Sequence, residues 1–155
     1  MTVKIKNCGF KTPEALRAAA AHGATFVGFV HHEASPRHVS LEAITTLASD
    51  APASLKHVVV LVDPSDALLD ELQRHFRPHY LQIHNVSDPK RIAAIEKRTG
   101  IPVITAIAVR GAEDVKNLTA LEEVSAHSRD IANVVSDVVG DGGGIAGIIF
   151  GNPGF

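Results

Sequence analysis

Short apolar runs rich in β-branched residues alternate along the chain with segments in which apolar residues recur at helical spacing. The alternation repeats at roughly 25 residues per unit, and six units can be counted. The predicted strands span residues 3–8, 25–30, 57–62, 79–83, 102–109 and 131–137. A strand followed by a helix, repeated in this way, predicts an α/β fold with a parallel sheet.

Polar capping residues and glycines mark where the predicted helices begin and end. The predicted starts are Thr12-Pro13, Ser40 and Asp88-Pro89, and the predicted stops are Gly23 and Gly100. In the third helix, apolar residues at helical spacing extend as far as Phe76. The helices are therefore expected to cover one side of the strands.

Repeated βα units build either an open doubly wound sheet or a closed barrel. No G-x-G-x-x-G follows the first strand, and no glycine-rich loop ends in Gly-Lys-Ser/Thr. The usual signals of a nucleotide-binding open sheet are thus missing from the sequence, and this favours the barrel.

Composition narrows the class of protein. The chain has 155 residues, of which 45% are hydrophobic and 21% charged, and this predicts one soluble domain over residues 1–155. Fifteen basic and seventeen acidic residues give a net charge of −2, so we expect neither a nucleic acid nor a membrane as a partner. With one cysteine, no apolar stretch long enough to span a bilayer and no signal peptide, the expected location is the cytoplasm.

The single cysteine, Cys8, ends the first predicted strand directly before a helix start. Enzymes of the α/β class carry their chemistry on such βα turns, so Cys8 is a candidate catalytic thiol. A cysteine at a strand end is also commonly a small buried residue with no chemical role. The position alone leaves both interpretations open.

Several motifs together resemble the N-terminal half of the phosphoribosylanthranilate isomerase family. They are K-N-C-G at 6–9, K-T-P-E-A at 11–15, G-A-T-F-V-G-F at 23–29, S-P-R-H-V at 35–39, V-D-P-S at 62–65, L-Q-I-H at 81–84 and P-V-I-T-A at 102–106. Their order and spacing match over about the first 110 residues. The resemblance implies a (βα)8 TIM barrel and an isomerase of tryptophan biosynthesis that acts on a small phosphosugar substrate without a metal or cofactor.

The resemblance also implies which residues form the site. The family's catalytic base corresponds to Cys8 and its catalytic acid to Asp137, while Arg37 corresponds to an arginine that could grip the anthranilate carboxylate. Gln82 and His84 are expected to face the same barrel mouth as substrate-binding residues. Ordinary turn chemistry at Asp137 and loop solvation at Arg37 are the competing interpretations.

The histidines and the glycine-rich segment at 142–144 give weaker indications of a functional site. Nine histidines, including His31 and His32, raise the idea of a metal site, but no second spaced ligand set supports one, so no metal is expected. Glycines 142–144 could approach a phosphate, although an exposed flexible loop is the simpler interpretation.

The sequence departs from the family pattern at several positions. Asn85 stands where the family has a glycine, and Thr105 where it has a lysine. The chain also stops before the last two βα units, which supply the family's phosphate site, so the expectation is an incomplete barrel of about six units with open edges. A second copy of the chain could complete it, the sheet could curl into a smaller form, or the chain could be only marginally stable.

Two functional hypotheses follow from these observations. One is an active isomerase that uses Cys8 and Asp137. The other is a non-catalytic remnant or assembly module with the same architecture. A different sugar-phosphate barrel enzyme, such as an epimerase, is disfavoured by Cys8-Gly9 together with the Ser-Pro-Arg segment at 35–37.

Overall fold

The structure is a computed structural model that describes residues 4–106 of the chain. Strands and helices alternate throughout this part. In chain order they are β1 (Lys6–Cys8), α1 (Pro13–Ala21), β2 (Phe26–Val30), α2 (Leu41–Ser49), β3 (Lys56–Val62), α3 (Asp66–His75), β4 (Tyr80–His84), α4 (Pro89–Thr99) and β5 (Val103–Ala106). The predicted sixth strand, 131–137, lies outside the described residues.

Each of the four helices between residues 4 and 106 begins at a side chain that accepts a hydrogen bond from the first turn. The predicted caps Thr12, Ser40 and Asp88 are confirmed, and Ser65 caps α3 in the same way. Because each cap satisfies a backbone N–H that has no partner inside the helix, these positions set where the helices start. The prediction that helical structure reaches Phe76 is wrong, because Phe76 is the extended C-cap of α3.

The strands form one parallel sheet in the order β1-β2-β3-β4-β5. A doubly wound sheet reverses its strand order near the middle, whereas a barrel adds each new strand beside the previous one. The observed order is therefore the barrel type, as the sequence predicts. It also brings the carboxyl ends of β1 to β5 to one edge.

Two apolar layers lie on opposite faces of the sheet. The larger one lies between the strands and the helices and includes Leu16, Ile44, Leu69 and Ile95. The smaller one lies on the other face and consists of Phe26, Val58, Tyr80 and Ile104. We call this second face the inner face, since it corresponds to the interior of a barrel.

Aromatic and cationic side chains lie at the amino end of the inner face. Phe26 and Tyr80 pack edge to face with ring centroids 5.7 Å apart, and the Lys56 ammonium lies 5.9 Å from the first ring and 6.0 Å from the second. Such contacts combine burial with cation–π attraction. They hold the amino ends of β2, β3 and β4 together.

A pair of histidines lies on the helix side of the same end. The backbone N–H of His57 donates to Nδ1 of His79 over 3.0 Å, and the His57 ring packs between Phe29 and Phe76. Burial lowers the pKa of His57 below its ordinary value, and the neighbouring His79 lowers it further. The pKa of His79 is lowered as well, first by burial and then by Lys56. Both rings therefore favour the neutral form.

Candidate active site

Cys8 lies at the carboxyl end of β1, the end at which parallel barrels carry their catalytic groups. It is a half-buried cysteine, the single cysteine of the chain, and it pairs in register with Gly28 of β2. Lys6 is paired with the inward-facing Phe26, and side chains two residues apart on a strand share a face. The thiol of Cys8 is therefore on the inner face.

The Lys6 ammonium contacts the Cys8 thiol directly. Its Nζ donates a hydrogen bond to Cys8 Sγ over 2.8 Å, and Lys6 is almost fully buried, with 9% of its surface exposed. A cation next to sulfur favours the thiolate, which is the reactive form of cysteine. This contact supplies the kind of environment that a cysteine needs in order to act as a base.

Gly28 leaves the space that the Lys6–Cys8 pair occupies. A Cβ at this position would overlap Cys8 Sγ and would lie 3.2 Å from Lys6 Nζ. The Gly28 carbonyl also accepts hydrogen bonds from the backbone N–H groups of Gly9 and Phe10, over 2.9 and 3.3 Å. One residue thus makes room for the thiol and fixes the backbone that follows it.

Arg37 packs against Gly9, the residue that follows Cys8. Gly9 has φ +91°, and a Cβ there would lie 2.6 Å from Cδ of Arg37. Two hydrogen bonds fix the turn that carries Arg37. The backbone N–H of Arg37 donates to Ser35 Oγ over 3.1 Å, and Lys11 Nζ donates to the Pro36 carbonyl over 2.6 Å. The structure therefore places Arg37 beside the Cys8-Gly9 turn.

Gln82 and His84 form a second polar group on the inner face of β4. The Gln82 amide nitrogen lies 3.0 Å from Nε2 of His84, and Gln82 is only 1% exposed. Within residues 4–106, Gln82 Oε1 is buried without a hydrogen-bond partner. Because leaving a buried acceptor unpaired costs free energy, this oxygen is suited to a donor that arrives with a ligand.

The predicted site residues thus fall into two groups at one edge of the sheet. Cys8 and Arg37 share one corner, Gln82 and His84 share another, and β2 and β3 lie between them. The predicted acid, Asp137, lies outside the described residues, as do glycines 142–144.

Two residues directly after strands have left-handed backbone conformations. Asp63, after β3, has φ +39°, and Asn85, after β4, has φ +60°. Asparagine and aspartate adopt this conformation more readily than other residues with a side chain. Asn85 can therefore replace the family's glycine at this turn, and that departure has a physical reason. The N–H of Asp63 also donates to the His84 carbonyl over 3.0 Å, which links the two turns.

The histidines after β2 make contacts with their neighbours. Nδ1 of His31 lies 2.9 Å from the Val39 carbonyl oxygen, and its ring packs against that of His38 with the centroids 5.1 Å apart and the planes tilted by 42°. In the described part of the chain, no group of three or more His, Cys, Asp or Glu side chains is placed to hold a metal ion. Between residues 4 and 106 there is also no helix of the length and hydropathy that a bilayer span requires.

Sequence reasoning did not assign a role to Lys6 or Gly28. Strand alternation alone places Lys6 on the same face as Cys8, so a lysine two positions before the cysteine could have predicted their contact. Gly28 could not be found in this way, since its role depends on the register between β1 and β2.

Comparison with known proteins gives a consistent result. The model of the N-(5'-phosphoribosyl)anthranilate (PRA) isomerase family matches residues 5–145. The N-(5'-phosphoribosyl)anthranilate isomerase of Azorhizobium caulinodans is 43% identical over 125 residues, which cover 81% of this chain and 55% of that protein. The protein of the same name from Caulobacter sp. strain K31 is 41% identical over 142 residues, or 91% of this chain and 67% of that one.

A solved structure from Thermotoga maritima has a similar fold. It is described as monomers of a dimeric phosphoribosylanthranilate isomerase, and it superposes with a TM-score of 0.71 at 24% identity, covering 79% of this chain and 62% of that one. At this level of identity the likeness concerns the fold, which is the barrel type derived above from the strand order. The chain spans about half to two thirds of the length of the relatives described here. The family match over residues 5–145 shows that the chain belongs to the N-(5'-phosphoribosyl)anthranilate isomerase family.

Proposed function

We propose that the chain catalyses the Amadori rearrangement of N-(5-phosphoribosyl)anthranilate to 1-(2-carboxyphenylamino)-1-deoxyribulose 5-phosphate in tryptophan biosynthesis. The observation that carries the proposal is the contact between Lys6 and Cys8 at the carboxyl end of β1, with Arg37 beside it. It provides a thiol in an environment that favours the thiolate, on the end of a barrel-type sheet where such chemistry takes place.

The reaction needs one acid and one base on a single sugar framework. Asp137, as the acid, gives its proton to the furanose ring oxygen, and the C1–O bond breaks to leave a Schiff base between C1 and the anthranilate nitrogen. The Cys8 thiolate then removes the proton from C2, and the electron pair of that C–H bond forms the enolamine. Tautomerisation of the enolamine to the ketone completes the isomerisation.

The other polar residues bind and orient the substrate. The stem of Arg37 packs against the thiol turn, and a planar guanidinium suits two parallel hydrogen bonds to the anthranilate carboxylate. Gln82 Oε1, which is buried without a partner among residues 4–106, can accept a hydrogen bond from a substrate hydroxyl. His84 fixes the Gln82 amide through its own contact with it.

The single domain over residues 1–155, self-association and the cytoplasmic location stay predictions. The Thermotoga maritima relative is described as a dimeric enzyme, which supports testing for a second copy here. Light scattering on the sample used for the activity assay gives its assembly state directly.

The test measures how fast the fluorescence of the anthranilate substrate falls in the presence of the purified full chain, Cys8→Ala or Asp137→Asn. We expect the parent chain to turn over and each variant to lose about 10²–10⁴-fold in kcat, since each removes an acid–base group. Asp50→Asn, at the exposed C-cap of α2, is the matched control and should retain full activity.

Circular dichroism shows whether each variant is folded. Unchanged turnover in a folded variant would remove that residue from the mechanism. A folded parent chain with no turnover would overturn the proposed function and favour the non-catalytic alternative.

A further inference from the structure

We propose that Lys6 is a positioning residue that holds Cys8 as a thiolate at neutral pH, in a space that Gly28 keeps open. The proposal rests on the proposed function for its role in catalysis. The ion pair itself can be tested without substrate.

The surroundings of Lys6 point to a negatively charged partner. The residue is only 9% exposed, and its ammonium donates to Cys8 Sγ over 2.8 Å. Among the ion pairs within residues 4–106, none joins Lys6 to a carboxylate. Because an ammonium buried without an opposite charge is strongly unfavourable, the sulfur in contact with it is the atom expected to carry that charge.

The backbone around the pair restricts its geometry. Lys6 and Cys8 are two residues apart on β1, so their side chains leave the strand on the same face. Gly28, directly opposite Cys8, has no Cβ to separate them, and a Cβ there would overlap Sγ. Ammonium and sulfur are thus brought together by local strand geometry, independently of any ligand.

The arrangement assigns a definite role to each group during the reaction. The thiolate accepts the C2 proton and becomes a neutral thiol, while Lys6 takes no part in the proton transfer. The cation therefore stabilises the reactive form of the base without exchanging a proton with the substrate. Removing the positive charge at position 6 should lower the fraction of Cys8 that is thiolate at neutral pH and leave substrate binding largely unchanged.

The chain contains one cysteine, so alkylation by iodoacetamide reports on Cys8 alone. The experiment measures the alkylation rate between pH 5 and 10, by intact mass, for the full-length parent chain and for Lys6→Met, Lys6→Gln and Lys6→Arg. We expect the midpoint of the rate–pH curve to rise by about one to three pH units in Lys6→Met and Lys6→Gln, the range for loss of a nearby opposite charge. Lys6→Arg keeps the cation and should keep the midpoint near that of the parent chain.

Lys97→Met is the matched control, since Lys97 is exposed on α4 and the same substitution is made there. Its midpoint should equal that of the parent chain. Lys6→Gln retains a polar donor of similar length, so it tests the charge if Lys6→Met proves unfolded by circular dichroism. A parent midpoint equal to that of folded Lys6→Gln would overturn the proposal.

Activity separates this proposal from the proposed function. If the chain turns over, kcat at pH 7 should fall about tenfold or more in Lys6→Gln and recover as the pH is raised, with a much smaller change in KM. If the chain is inactive but the parent midpoint is low and depends on Lys6, the proposed function fails while the ion pair stands.

Discussion

The two ends of the sheet are built in different ways. At the amino end, Phe26 and Tyr80 are packed together beneath the Lys56 ammonium. Toward the carboxyl end, the inner face instead carries the Cys8 thiol, which the Lys6 side chain reaches from the start of β1, and the Gln82 oxygen that is unpartnered within residues 4–106. The amino end thus gains stability from burial and aromatic packing, while the carboxyl end keeps polar groups in positions that stability alone would not favour.

The turns at the carboxyl end of the sheet also contain conformations that are unfavourable for stability. Asp63 and Asn85, the residues that follow β3 and β4, both adopt left-handed backbone conformations that side chains seldom tolerate. Unfavourable backbone conformations of this kind cluster at functional sites, where the rest of the fold offsets their conformational free energy. Substitutions at the two ends should therefore have opposite consequences for stability and activity.

The largest expected effect on stability is at the amino end. Phe26→Ala removes a side chain that is 1% exposed and packed against Tyr80, so the free energy of unfolding should fall by about 3–5 kcal/mol. Urea denaturation of the full chain measures this loss. Ile5→Ala, directly before β1, is the control, because Ile5 is 44% exposed and its truncation should cost far less. Equal losses in the two variants would mean that the inner aromatic layer does not stabilise this end.

A smaller effect of opposite sign is expected at the carboxyl end. Gln82→Met replaces a buried amide, whose oxygen has no partner within residues 4–106, by an apolar side chain of similar length. The free energy of unfolding should stay constant or rise by about 1 kcal/mol, because no hydrogen bond from residues 4–106 to this oxygen is lost. Under the proposed function, turnover should fall, since Gln82 is proposed to accept from a substrate hydroxyl. Gln73→Met, at a half-buried position on α3, should give no gain in stability. A clear loss of stability in Gln82→Met would show that the amide is structural.

The sequence was sufficient to predict features that depend on local interactions. Thr12, Ser40 and Asp88 cap helices as predicted, because a capping side chain contacts backbone only two or three residues away. Strand alternation likewise places Gln82 and His84 on one face. The resemblance in motifs predicted the family, which the family match over residues 5–145 confirms.

The remaining features depend on distant parts of the chain. Arg37 reaches Gly9 only because β1 and β2 are adjacent, and Gly28 makes room for the thiol only in the observed register. The conformation of Asn85 explains a departure from the family that the residue pattern alone could not interpret. Residues separated in sequence thus define the site, whereas short segments define the elements that carry it.

The smallest expected effect is a pH dependence that originates at the amino end. The pKa values of His57 and His79 lie below the ordinary value of 6.5, mainly because burial penalises the charged rings. Between the folded-state pKa and 6.5 the unfolded chain therefore binds more protons than the folded chain, so the free energy of unfolding rises with pH across this window. The stabilisation is complete above about pH 6.5 and is lost as the pH falls toward the folded-state pKa values.

The double variant His57→Phe/His79→Asn separates this contribution from that of the other histidines, since the chain has nine in all. Phenylalanine keeps a ring between Phe29 and Phe76, and the side-chain oxygen of an asparagine at position 79 would still accept from the backbone N–H at position 57. Urea denaturation at about pH 7.5 and about pH 5.5, on either side of the ordinary histidine pKa, should show a smaller loss of stability in the variant than in the parent chain. The same loss in both proteins would mean that the histidine pair does not couple folding to protons, and the amino end would then owe its stability to the aromatic layer alone.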